Sequence, residues 1–362
     1  MQPTHQSPRL LGLDAARGLA VLLMVVVNYD IVLSFGIEQP AWLRAVFDAC
    51  SGRSASCFVL LAGCGFVLLG GARALCRRAL CLAVLGYGWY ELWPGDILHH
   101  YAWYLLLGAA TLRLPAPALF ALAAAAIGGF AVLFSQLDYG SDWNWQELEY
   151  TTFWTPLGQL RSATFNGLHP LLPWMAFAWC GMGVAKLDLR ATATRRGMAC
   201  AGVAMHTGSW LLSRWLGGEL PAPQWLRSDW YRAPAMFYGL EPLPPGPLFV
   251  LSATGTALLV VAALLWTADR ARGARLLQPL IACGQLALTL YVLHVLLLFF
   301  VLQPLTAGLV GGIGKLPTTA VCIGAFDTAA LLGATWWRAR GRQGPLEALL
   351  RRLSGPRPRT GA

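Results

Sequence analysis

Apolar runs of about 20 residues recur along this 362-residue chain, and no other feature restricts its fold so strongly. A run of that length crosses hydrocarbon as an α-helix, because a helix satisfies its own backbone hydrogen bonds where there is no water. The runs begin near Gly18, Ser54, Arg78, Ile97, Pro117, Leu168, Gly197, Pro247, Pro279 and Pro317. They predict an all-α, polytopic membrane protein with roughly ten transmembrane helices in one bundle, over residues 1–337. A basic, amphipathic tail follows, residues 338–362, expected in the cytoplasm along the inner membrane surface. Only 12% of the residues are charged, too few for an ordinary soluble domain. No small-x-small cleavage site follows the first run, which reads as a retained span and not a signal peptide.

The net charge of +10 is a topology signal once it is located along the chain. Nineteen of the 27 Lys and Arg residues lie at the chain ends and in short connections. Seven lie in longer, acidic and aromatic loops, and Arg17 lies inside the first run. The positive-inside rule then places both termini in the cytoplasm, as an even number of spans requires. The lipid bilayer is the expected partner, and nucleic acid is not. Trp143, Trp145, Trp154, Trp225, Trp230 and Tyr231, in the longer loops, suit an interfacial belt; stacking on a sugar ring is the alternative. Most of the nine cysteines fall inside apolar runs and no CxxC pair occurs, so neither a disulfide framework nor a metal site is expected. There is no Walker loop, HExxH or GxSxG, and no GxGxxG opening a helix after a strand. No internal repeat stands out, which counts against a transporter.

The first run, RLLGLDAARGLAVLLMVVVNYDIVLSF, carries polar residues where lipid would reject them: Asp14, Arg17, Asn28 and Asp30. At about 100° per residue, Arg17 and Asn28 lie within roughly 20° of each other around the axis. Asp14 and Arg17 are spaced to pair at i,i+3. Ionisable residues inside a membrane point to function, with a simple interfacial anchor as the structural alternative.

A second cluster lies in WPGDILHHY, Trp93 to Tyr101. Pro94 and Gly95 break the chain, and Asp96 is placed to cap the helix that follows. His99 and His100 fall in its first turn, about 100° apart, so at most one is expected to face a shared pocket. A near-neutral imidazole steered by a carboxylate is the equipment of a general base. His169, just before Pro170, is a further pocket candidate or an interfacial His, and Pro173 should start or kink its helix. Gln285, Thr289 and His294 read as hydrogen-bonding glue between helices, and His206 as a bundle contact. Asp327 needs a partner such as Arg or His, in a structural pair or a proton site.

The opening RLLGLDAARGLAVLLMVVVN resembles the transmembrane acyltransferase superfamily. There, heparan-alpha-glucosaminide N-acetyltransferase and its bacterial relatives share an LDxxRG…M…N/H first helix. RSASCFVLLAGCGFVLL, GDILHHYAWYLLL, HPLLPWMAFAWCGMGVAK, GQLALTLYVLH and GPLEALLRRL resemble the YeiB-like bacterial branch, in order and over nearly the whole chain. The resemblance implies an enzyme of the bacterial inner membrane. It would take acyl-CoA from the cytoplasmic side and acylate an envelope glycan or small molecule on the outer side. No metal is implied, and a homo-oligomer is compatible. Some relatives place a histidine eleven residues after the arginine, where Asn28 stands here. The heparan enzyme has its histidine a further eleven on, where this chain has Gln39. The base must then come from elsewhere. His99 is the candidate, with Asp96 orienting it, Asn28 opposite as carbonyl donor, and Asp14 and Arg17 on the donor side; Asp30, His100 and His169 are further pocket candidates. The alternative function is a carrier or exporter without covalent chemistry.

Overall fold

Leu11–Leu33 forms one uninterrupted helix, α1, as a run of Leu, Val, Ala and Met without proline should. The structure, a computed structural model, describes residues 9–34, 39–69, 71–145, 147–217, 237–307 and 312–355, and is 78% helical. After α1 come α2 (Ala41–Cys50), α3 (Arg53–Leu69), α4 (Ala72–Gly88), α5 (Leu98–Thr111), α6 (Ala116–Gln136), α7 (Pro156–Arg161), α8 (Leu171–Ala185) and α9 (Thr192–Trp215). Then follow α10 (Pro247–Ala268), α11 (Ala271–Leu276), α12 (Gln278–Gln285), α13 (Ala287–Leu297), α14 (Gly312–Ala339) and α15 (Pro345–Ser354). A π-helical stretch, Leu298–Leu302, and a short turn, Gln303–Thr306, extend α13. Among the described residues the strands are β1 (Trp143–Asn144) and β2 (Glu149–Tyr150), paired antiparallel in the loop after α6.

A helix covers or adjoins each of the ten expected starting points. Six helical stretches among the described residues are long and apolar enough to cross a bilayer: Leu11–Leu33, Ala41–Leu69, Ala116–Gln136, Pro247–Ala268, Ala287–Thr306 and Pro317–Ala339. The remaining helices fall below that mark for visible reasons. α4 is 17 residues long and carries Arg73, Arg77 and Arg78; α5 has 14 residues and α8 has 15. α9 has the length but also Arg195, Arg196 and Arg214. The described helices are those of an all-α protein with six candidate membrane spans.

α1 stands inside the bundle, packed against α3, α10, α12, α13 and α14. Backbone meets backbone between α1 and α12, because a Cβ on Gly284 would lie 1.8 Å from the carbonyl oxygen of Asp14. Small residues permit this approach, and close packing drives helix association in lipid. In α8, Leu172 departs from helical angles (φ −101°, ψ 117°), so the regular helix begins at Pro173. α14 runs on to Ala339, and α15 then returns to pack on α4 and α13. Its Glu347 accepts the N–H groups of Leu288 (2.7 Å) and Thr289 (3.0 Å) and the Thr289 hydroxyl (2.6 Å). A carboxylate from the tail thus caps α13.

Candidate active site

The turn between α4 and α5 and the first turn of α5 bring together Asp96, His99 and His100, all buried. Asp96, fully buried, closes the turn as a cap: its Oδ2 accepts the N–H groups of Leu98 (2.8 Å) and His99 (3.2 Å). Tyr291, from α13, donates its hydroxyl to Asp96 Oδ1 (2.9 Å) and accepts the N–H of Ile97 (3.3 Å). The carboxylate is therefore fixed from two helices. The turn fits against α4 because residue 86 is glycine, where a Cβ would lie 2.3 Å from the His99 nitrogen and 2.9 Å from Asp96 Oδ2.

His99 turns Nδ1 towards Asp96 Oδ2 at 3.4 Å, and its buried Nε2 has no hydrogen-bond partner among the described residues. A carboxylate on Nδ1 favours the tautomer with the proton there and the lone pair on Nε2. Tyr87, Tyr90 and Phe153 surround the ring, with centroids 5.5, 5.5 and 5.7 Å away. His100 lies against His99 at 4.0 Å and reaches towards His169 at 6.0 Å. His169 in turn packs edge-on to Trp174 at 4.6 Å, its buried Nδ1 without a partner. The two adjacent histidines thus belong to one buried cluster, where the 100° spacing predicted that only one would face in. The recessed start of α5 brings both rings under the loop that follows α6.

That loop is a cover built from aromatic residues. Phe153 stacks on Tyr90 with the rings 4° from parallel, and the Trp154 indole donates to Glu91. Asn166 anchors the inner side, accepting from the Tyr150 hydroxyl (2.9 Å) while its carbonyl takes the Trp143 indole N–H (2.6 Å). Burial pushes the Tyr150 phenol up to about 12, so it stays a donor to Asn166. Trp143 and Trp145 stack on each other within this cover, whereas Trp154 is largely exposed. Trp225, Trp230 and Tyr231 lie outside the described residues.

The other expected residues are distributed differently from the sequence reading. Asn28 pairs with His294, Nδ2 to Nε2 at 2.9 Å, and not with His99. The reason is register: α13 and not α5 packs beside that part of α1. Asp30 accepts the side-chain amide of Gln39 at 2.5 Å. Asp14 accepts from Arg9, Arg17 and Gln285, so the expected i,i+3 pair with Arg17 is present inside a larger cluster. Gln285 and His294 tie their helices to α1 through Asp14 and Asn28, and Thr289 ties α13 to α15 through Glu347. His206 contacts Ser252 and Thr256 of α10. Asp327 has no Arg or His partner among the described residues, and its buried Oδ1 makes no hydrogen bond among them.

At the other end of α5 lies a cavity of about 590 Å³ between the ends of α3, α5 and α8. Ala109, Leu112, Arg113 and Lys186 line it. Tyr101, between the two ends, has a buried hydroxyl without a hydrogen-bond partner among the described residues.

Comparison with known families covers most of the chain. Residues 9–217 match the family described as heparan-alpha-glucosaminide N-acetyltransferase, catalytic. Residues 246–356 match a second, described as protein of unknown function (DUF418). No curated protein matches the chain.

Proposed function

Since the chain belongs to the YeiB-like, heparan-alpha-glucosaminide N-acetyltransferase catalytic family, we propose that it transfers an acyl group from acyl-CoA to a hydroxyl or amine of an envelope glycan or small molecule. One observation carries this reading: His99, with Nδ1 on a fixed carboxylate and Nε2 buried and unpartnered. In that state the imidazole accepts the proton of the attacking hydroxyl or amine, and Asp96 stabilises the imidazolium. The acceptor oxygen or nitrogen bonds to the thioester carbonyl carbon. Collapse of the tetrahedral intermediate breaks the C–S bond, and the imidazolium returns its proton to the leaving thiolate.

Arg113 and Lys186 supply positive charge for the donor's phosphates, with Arg17 further along the path. α5 joins that cavity to His99 over 14 residues, about 21 Å, a length the extended pantetheine arm can follow. In the bilayer we place the basic ends in the cytoplasm and the His99 cover outside, with α4, α5, α8 and α9 completing ten crossings of the bacterial inner membrane. Asp327, a buried carboxylate without a hydrogen bond on Oδ1, favours a second reading as a proton-coupled carrier. The deciding experiment incubates the purified protein with acetyl-CoA and amine or sugar acceptors and follows thiol release. Release that disappears in His99→Ala, while acyl-CoA still binds, is expected. Absence of both turnover and acyl-CoA binding in the unmutated protein would move the weight to the carrier.

A further inference from the structure

A second cavity, of about 440 Å³, opens between α2, α3, α9, α10 and the segment before α10. Its polar lining is Asp48, Arg53, His206, Glu241 and Thr256, none of them in the acyl-transfer site. We propose that this cavity binds a small zwitterion, a molecule carrying an ammonium group and a phosphate or carboxylate.

Both signs of charge line the cavity. Arg53 makes one hydrogen bond among the described residues, from Nη1 to the backbone carbonyl of Asp48 (3.2 Å), and no ion pair. Its remaining N–H groups are available to an oxyanion. Glu241 likewise makes no ion pair among the described residues, although it and Arg53 act on each other electrostatically. Asp48, ion-paired to Arg44 at 3.5 Å, adds a second carboxylate to the wall. Leu240, Leu259 and Ala49 form the apolar part of the wall, which strengthens charge interactions inside it.

His206 stands on the same wall, its Nδ1 3.1 Å from Ser252 Oγ and 3.2 Å from Thr256 Oγ1 of α10. The cavity thus offers two carboxylates, Asp48 and Glu241, and one guanidinium. An ammonium matches the first set and a phosphate or carboxylate the second. The volume is within the range of small-ligand sites. Two sources carry this chemistry: the headgroup of an aminophospholipid in the surrounding leaflet, and a soluble amino-phosphate or amino acid.

The test uses the full chain in phosphatidylglycerol nanodiscs, titrated calorimetrically with phosphoethanolamine. Glycerol 3-phosphate, which lacks the ammonium, and ethanolamine, which lacks the phosphate, serve as half-ligands on the unmutated protein. Phosphoethanolamine is expected to bind at least tenfold tighter than either half. Arg53→Gln and Glu241→Gln should each weaken it tenfold or more. A parallel arm reconstitutes the chain with phosphatidylethanolamine and counts retained lipid by native mass spectrometry, unmutated and Arg53→Gln. Binding in the soluble arm assigns a soluble zwitterion; selective, Arg53-dependent retention in the lipid arm alone assigns the headgroup. No binding in either arm, or equal binding of a half-ligand, would overturn the proposal without relying on any variant that folds poorly.

Discussion

Two polar clusters lie within this apolar bundle, and they differ in how completely their hydrogen bonds are met. At the start of α1, Asp14 accepts four: two from Arg9, one from Arg17 and one from Gln285. A carboxylate has about four acceptor positions, so Asp14 is saturated. Around α5, Asp96 is as well held, but the ring it steers is not: His99 Nε2, His169 Nδ1 and the Tyr101 hydroxyl are buried without partners among the described residues. Unmet polar groups are costly in a low-dielectric interior, and natural structures retain few of them. Saturation is what a structural cluster needs; an unmet acceptor beside a fixed carboxylate is what proton transfer needs. Under the proposed function, the Asp14 carboxylate serves stability and the His99 cluster serves chemistry.

The sharpest way to break that assignment is His99→Ala. Loss of a general base lowers acyl transfer roughly 10²–10⁴-fold. Folded yield and acyl-CoA binding should be unchanged, read by size-exclusion profile and calorimetry on the same preparation. Asp14→Ala should do the reverse. It takes the shared acceptor from exposed Arg9 and half-buried Arg17 and Gln285, costs about 1.5–3 kcal/mol as for hydrogen bonds to a charged group, and lowers the detergent-unfolding midpoint. An Asp14→Ala protein of normal stability that no longer binds acyl-CoA would exchange the roles of the two clusters. Tyr291→Phe removes one hydrogen bond to a charged group, worth about 1.5–3 kcal/mol. Its effect should appear in kcat with little change in KM, because Asp96 acts through His99. Glu347→Ala should be mildest, about 1 kcal/mol for a lost helix cap, seen as faster hydrogen exchange at Leu288 and Thr289 and unchanged turnover.

What could be read from sequence was local. The Asp14–Arg17 pair spans three residues, and Asp96 caps amides two and three residues ahead, so helix geometry alone reveals both. The partner of Asn28 lies 266 residues away, and its identity depends on which helix packs beside α1. Periodicity along one helix carries no such information. The cover over His99 was hidden for another reason: Trp143, Trp154 and their neighbours have the composition of an interfacial belt, and the Phe153–Tyr90 stack appears only once the loop is folded. Counting spans met a similar limit. Apolar runs locate α5 and α8, but the Pro94–Gly95 break and Pro173 shorten the regular helix.

The cap that Glu347 places on α13 also bears on the order in which the molecule is made. Chains leave the ribosome N-terminus first, and early parts fold while later ones are still being synthesised. Leu288 and Thr289 receive their acceptor from a residue made 59 and 58 positions later. Until Glu347 emerges, the leading amides of α13 have only water or headgroups to bond. The end of the bundle where α4, α13 and α15 meet is therefore finished last. A chain halted before residue 347 contains His99, Asp96 and Tyr291, yet its α13 remains unsealed.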